Sequence, residues 1–337
     1  MFFDEVICFT SGYSGAGRFE NLDGVKFYRF GLDYTPPLIT LRSREVLKNR
    51  DDAIILENIN HIPFYTPIIY PRSQSISIIH HVAESQLYME APIIAPIIDM
   101  LERGISPLLY RNKLVIAPSK STAAQLARLG YNRVHVIPPG VEYEKLSEGS
   151  KRYVKKQHTI IYFGRIMKYK QIHHLIKALA RVAEEIPGVR LTIAGRICSK
   201  HYLMQLRGLI NRLNLKKQVT IKTNIPEEEK IRLLAEAQVY AITSLREGWA
   251  ITVIEANACG TPAVGYDVPG LRDSIRHMET GILVPYGDIE EMAKAMITLI
   301  ENQELWTKMA KNALQWAKQH SWDISIEKFK EIIKNNL

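Results

Sequence analysis

Several features that would settle the class of this chain quickly are scarce or missing. Its 337 residues contain three cysteines, Cys8, Cys198 and Cys259, far apart and odd in number. That excludes a disulfide framework and a paired-cysteine metal site, and it reads as reduced, buried thiols in a cytosolic chain. No stretch reaches the roughly 18 consecutive apolar residues of a membrane-spanning helix. Met1-Phe2-Phe3-Asp4-Glu5 lacks the basic start and apolar core of a secretory signal. No Asp-x-Asp occurs, which removes a common carboxylate pair for a divalent metal. His80-His81 is a poor metal site as well, because adjacent residues on an extended chain point apart. Neither paired CxxC nor a stacked-aromatic RNP pattern accompanies the basic run Lys151–Lys156, so nucleic acid is not an expected partner. There is no internal repeat and no low-complexity segment.

What is present points to a globular chain of two domains. Hydrophobic residues make up 46% of the chain, enough for sizeable cores. The net charge of +9 suits phosphorylated ligands, anionic lipid or simply a solvated lysine-rich surface. Short apolar runs read as strands at Val6–Thr10, Val25–Phe30, Ala53–Leu56, Ser75–Ile79, Leu114–Ala117 and Val134–Ile137. Helical patterns cover Tyr88–Leu109 and Ser119–Leu129, the second capped by Ser119 or Ser121. Pro138-Pro139-Gly140 and the polar stretch Glu142–Gln157 then mark a domain boundary.

The alternation resumes more clearly beyond it. Strands are expected at Thr159–Phe163, Val189–Ala194, Val219–Ile221, Val239–Thr243, Ala263–Gly265 and Ile282–Val284. Apolar residues at helical spacing lie between them, as at Ile172, Leu175, Ile176, Leu179 and Val182. Three helices close the chain. This order predicts parallel sheets in two doubly wound Rossmann-like domains, with a ligand cleft at the carboxyl ends of the strands.

The stretch with most chemistry is Arg246–Pro262. It sets Glu247 and Glu255 eight residues apart around a loop and a helix start. Thr252-x-x-Glu255 has capping-box spacing, which places Glu247 on the loop and Glu255 in the first helical turn. Gly260 is a natural helix terminator. Backbone N–H groups near Ala250, Ile251 and Thr252 would form an anion site. Upstream, Gly164-Arg165-x4-Lys170 follows a strand and opens a helix. It supplies two cations suited to a diphosphate.

These residues resemble a known family. Gly164-Arg165-x4-Lys170, Glu247-x7-Glu255, Gly260-Thr261-Pro262, Val268-Pro269-Gly270-Leu271-Arg272-Asp273 and Ile137-Pro138-Pro139-Gly140-Val141 together are similar to the retaining glycosyltransferases of family 4. The glutamate pair alone is a loose pattern, whereas the combination is specific. The resemblance implies the GT-B fold, with two Rossmann-like domains facing across a cleft. Its parts would be an acceptor-side domain at 1–140, a nucleotide-sugar domain at 141–321, and a final helix at 322–337 returning to the first domain.

The resemblance also implies roles. Arg165 and Lys170 would hold the diphosphate of a UDP- or GDP-linked sugar. Glu247 would bind hydroxyls of the transferred hexose, and Gly248, Trp249, Ala250, Ile251 and Thr252 would cradle sugar and phosphate. Glu255 would grip the ribose, and His80, rather than His81, would stand near the reaction centre. No metal or other cofactor is expected. The acceptor would be a glycan or a lipid-linked molecule. The apolar run Ala91–Ile98 could rest on the cytoplasmic face of a membrane, or it is a buried core segment. Two departures stand out. Thr223-Asn224 replaces the glycine usual near the base site, and the strand, Gly-rich loop and helix that usually precede Val6–Thr10 are not seen. A truncated start or remodelled first domain follows as an expectation. Two other functions fit the same residues: a nucleotide-sugar-binding protein with impaired catalysis, and a GT-B nucleotide-sugar epimerase.

Overall fold

In the second half, the strands Val239–Ile242 and Ala263–Tyr266 are buried at every position, which is why they read as continuous apolar runs. The structure, a computed structural model, describes all residues except 1, 2, 14, 31–35, 49–52, 61, 83 and 337. Met1 and Phe2 of the leader reading, and Leu337 of the final helix, therefore lie outside the described residues.

The first half contains two sheets. Strands β1 (Val6–Thr10), β2 (Phe19–Leu22) and β3 (Val25–Arg29) form one, in the order β1-β3-β2. Strands β4 (Ile55–Ile59), β5 (Ser75–Ile79), β6 (Leu114–Ala117) and β7 (Arg133–Val136) form a parallel sheet in sequence order. The second half contains β8 (Thr159–Phe163), β9 (Arg190–Gly195), β10 (Val219–Thr223), β11 (Val239–Ile242), β12 (Ala263–Tyr266) and β13 (Gly281–Val284). They form one parallel sheet in the order β10-β9-β8-β11-β12-β13. That is the doubly wound order, in which the crossover direction reverses between β8 and β11. A continuous core runs from Val141 to Ala317 around this sheet.

Several elements differ from expectation. Tyr88–Leu109 is not one helix. It breaks into Ser85–Glu90, Ala95–Asp99, a π-helical turn at Met100–Ile105, and Ser106–Tyr110. Pro92, Pro96 and Pro107 remove helical N–H donors along this stretch. The fourth strand starts two residues later than the apolar run Ala53–Leu56. The polar stretch after Glu142 contains the helix Tyr143–Ser150, which buries only Leu146. An unpredicted strand, β2, pairs antiparallel with β3 through Asp23-Gly24, both at positive φ (49° and 85°). That dipeptide is the sequence signal of such a hairpin.

The chain passes between the halves twice at one place. Val141 forms a parallel bridge with Ser321, and its N–H donates to the His320 carbonyl at 2.8 Å. A side-chain carbon added at Gly140 would lie 2.4 Å from the Trp322 backbone, so only glycine lets the two crossings lie this close. The helix Trp322–Asn336 packs Ile333 against Ile76, Leu114, Ile116 and Ile137 of the first half.

Candidate active site

The reversal between β8 and β11 leaves a crevice at the ends of those strands, and the loops that follow them border it. They are tied into one unit. The buried Thr243 hydroxyl lies 3.1 Å from the Lys170 carbonyl and 3.0 Å from the Gln171 carbonyl. Leu245 N–H donates to the Tyr169 carbonyl at 2.9 Å. Downstream, Glu247 N–H donates to Pro269 at 3.0 Å, so the loop after β12 holds the same segment.

Within this frame Lys170 forms an ion pair with Glu247, and both side chains are almost fully buried. The Lys170 ammonium also lies 4.8 Å from the centre of the Tyr169 ring. Arg165 donates to the Tyr169 hydroxyl at 2.6 Å. Two cations and one carboxylate thus converge on a single aromatic ring. A buried pair of this kind is sensitive to loss of either partner, because the survivor is left charged and desolvated.

The opposite wall comes from the first half. His80 follows β5, and its Nε2 is hydrogen-bonded to the Asn58 side-chain oxygen on β4. An oxygen can only accept, so Nε2 carries the proton and Nδ1 is left as acceptor. Burial holds the His80 pKa below the ordinary imidazole value, which favours the neutral ring. The halves touch directly here. A side-chain carbon at Gly248 would fall 1.9 Å from the His80 carbonyl oxygen, so glycine is required for the approach. Arg246 pairs with Glu84 at 2.6 Å, and Asp273 accepts from Ser121 N–H at 3.1 Å.

Between these walls lies a cavity of about 170 Å³. His80, His81, Asn60 and Gln86 line one side. Arg165, Tyr169, Glu247 and Trp249 line the other. Trp249 is buried and stacks on His320 at 5.1 Å, yet its indole N–H has no hydrogen-bond partner among the described residues. A buried donor without a partner at a cavity wall suits a polar ligand.

The structure gathers His80, Arg165, Glu247, Gly248, Trp249 and Ile251 at the cavity, along with His81. Lys170 is reached through Glu247, and Gly164 continues the β8 ladder by donating to Ala194 at 3.0 Å. The capping box is not formed. The helix is Ile251–Ala258, its N-cap is Ala250, and no side chain caps it. Glu255 consequently sits in the second turn. Thr252 instead bonds the Tyr240 hydroxyl at 2.6 Å, because that buried phenol is the nearer partner. Of the amides expected to be free, Ile251 N–H contacts the Trp249 carbonyl at 3.1 Å. Gly260 does terminate the helix, at φ 67°.

Glu255 lies apart from the cavity and accepts from Lys230 at 2.8 Å. Burial pushes its carboxyl pKa up, and Lys230 partly offsets this. The Lys230 ammonium stands 5.8 Å from the Phe163 ring at the end of β8. Lys230 and Thr243 carry no motif in the sequence. A lone lysine among the apolar positions of Glu227–Ala237 is the one signal that could have marked the first. Asn224 takes the left-handed conformation at φ 54°, which asparagine tolerates better than most residues and which suits the position where glycine is usual.

Comparison with known proteins matches this architecture. Residues 144–316 match the family described as glycosyl transferases group 1, and residues 4–145 match Glycosyltransferase Family 4. The chain is 27% identical over 204 residues to a D-inositol 3-phosphate glycosyltransferase of Corynebacterium glutamicum, covering 57% of this chain and 49% of that protein. It thus spans about half the length of the curated relatives it matches. Among solved structures, Anabaena HepE in complex with UDP-glucose is similar at TM-score 0.74 and 20% identity, covering 92% of this chain and 86% of that one. A sucrose-phosphate synthase of Thermosynechococcus elongatus is similar at TM-score 0.77 and 20% identity, over 97% and 87% of the two chains. This chain belongs to the group 1 glycosyl transferases, of the family 4 type, and its fold is GT-B.

Proposed function

We propose that the chain moves a hexose from a UDP- or GDP-linked sugar onto a glycan or lipid-linked acceptor, with retention at the anomeric carbon and without a metal. The observation that carries this is the cavity between the halves, where Arg165, Glu247 and neutral His80 meet. The UDP-glucose bound by HepE and the inositol phosphate in the name of the curated relative support the substrate class.

In this reading the bond from the anomeric carbon to the leaving phosphate breaks, and a bond to the acceptor oxygen forms on the same face. The acceptor proton passes to the departing phosphate oxygen. Charge grows on the diphosphate, and Arg165 and Lys170 stabilise it. Lys170 shifts from Glu247 toward the phosphate, which leaves the carboxylate to bind sugar hydroxyls. Glu255 and Lys230 hold the ribose end, with Glu255 one helical turn beyond the cavity-lining Ile251. His80 donates no charge and orients the sugar from the acceptor side. Three free thiols, of which only Cys259 is buried as expected while Cys8 is partly exposed and Cys198 exposed, support a reducing, cytoplasmic setting.

The test is a thermal-shift screen of nucleotide sugars followed by transfer assays. A true donor at about 100 times its Kd stabilises by about 2.7 kcal/mol. Product with the inverted anomer, loss of activity with a chelator, or a shift from no nucleotide sugar would each defeat the proposal. Conversion of the donor without any acceptor would point to the epimerase.

A further inference from the structure

The segment from Ile93 to Arg111 carries large apolar side chains on its exposed side as well as on its buried side. Its helical pieces turn Ala95, Ile98, Glu102, Ser106 and Tyr110 inward. Two of these, Glu102 and Ser106, are polar, and Tyr110 spends its hydroxyl on buried Glu57 at 2.8 Å. The outward side carries Ile93, Ile97, Met100 and Leu108, with Ile93 92% exposed and Leu108 78% exposed. The spacing is three and four residues, and the π turn at Met100–Ile105 restores the phase before Leu108. The run Ala91–Ile98 is therefore not a buried core segment. The short helix Thr66–Ile69 touches Ser106–Tyr110 and Pro36–Leu47, and these add exposed Ile68, Leu38 and Leu41. Exposed apolar side chains gathered on adjoining elements in this way mark an interaction surface.

The charges on the same segment decide what it fits. Arg103 and Arg111 are exposed cations. Of its acids, Glu102 is buried, and Asp99 is mostly buried and paired with Arg103 at 3.6 Å. Tyr88 adds a half-exposed ring with a polar tip just before the segment. We propose that this face rests on an anionic lipid bilayer. Ile93, Ile97, Met100 and Leu108 would enter the acyl boundary, and Arg103 and Arg111 would meet the headgroups. Gln86, seven residues before Ile93, lines the cavity, so the cleft would open close to the membrane plane. The proposal does not depend on the transferase reading.

Vesicle flotation of the full chain tests it, with phosphatidylcholine alone and with roughly one-third phosphatidylglycerol. The chain should float with the anionic vesicles and less so as salt rises. The triple variant Ile93→Ser, Ile97→Ser, Leu108→Ser should bind at least about tenfold more weakly, with an unchanged melting temperature, because the replaced side chains are exposed. The proposal falls if the native chain does not float with anionic vesicles, or if the triple variant floats equally well. It also falls if light scattering shows a dimer that the triple variant abolishes, since the face would then join two copies of this chain.

Discussion

The two halves solve burial differently. The second half wraps one six-stranded sheet in a single core reaching from Val141 to Ala317. The first half spreads its core over small clusters, such as Leu87, Ala95 and Ile98. Of the 24 exposed large apolar side chains among the described residues, 16 lie before residue 141. The contrast teaches where accuracy is needed. The loops that border the cavity in the second half are fixed by buried hydroxyls and backbone contacts, whereas the first half leaves more large apolar side chains exposed.

Core truncation gives the largest expected contrast. Leu179→Ala in the fully buried helix face should cost about 3 kcal/mol in urea unfolding. Leu87→Ala, in a three-residue cluster, should cost about 1–2 kcal/mol. Equal costs would erase the distinction.

Lys155 sharpens it through pH. Its ammonium reaches inward to the carbonyls of Leu234 (3.4 Å) and Cys259 (3.2 Å), and to the Thr261 hydroxyl. Burial lowers its pKa from 10.5 to about 7. The unfolded chain therefore holds this proton more tightly than the folded one between those two values. Stability from this group rises as pH rises through that window, by about 2 kcal/mol from pH 7 to 9. Lys155→Met should remove that rise, read as the difference between the two proteins in denaturant midpoints.

Lys170→Ala should lower kcat/KM by about 30-fold, equivalent to about 2 kcal/mol, with the first half unaffected in proteolysis. Full retained activity would remove Lys170 from the diphosphate site. The smallest effect is expected at Leu108→Ser, within about 0.5 kcal/mol of native stability. A larger loss would mean that this surface is covered within the chain itself.

Legibility in the sequence follows the same division. Leu114–Ala117 and Val239–Ile242 were readable because a strand buried on both faces must be apolar throughout. Helix Ile172–Glu185 was readable because one face packs and the other does not. Tyr143–Ser150 was not, because a helix that buries only Leu146 leaves no periodic trace. At the site, Arg165, Glu247 and His80 carried motifs. The capping box misled because Thr252 had a closer partner in Tyr240, 12 residues upstream, that no local pattern reveals. Lys230 and Thr243 act through contacts between distant segments, and such contacts exist only after folding.

The paired crossings at Val141 and Ser321 have a kinetic consequence. With both spans at one point, a swing about it would part the halves like the covers of a book, without melting either. Among the described residues, the fastenings that such a swing would undo include Arg246 to Glu84, Asp273 to Ser121, Thr122 to the Gly248 carbonyl, and the approach of Gly248 to His80. How quickly ligands come and go is then governed by these fastenings and not by the resistance of either half to heat. A chain with Glu84→Gln would exchange ligands faster and still melt where the native one does.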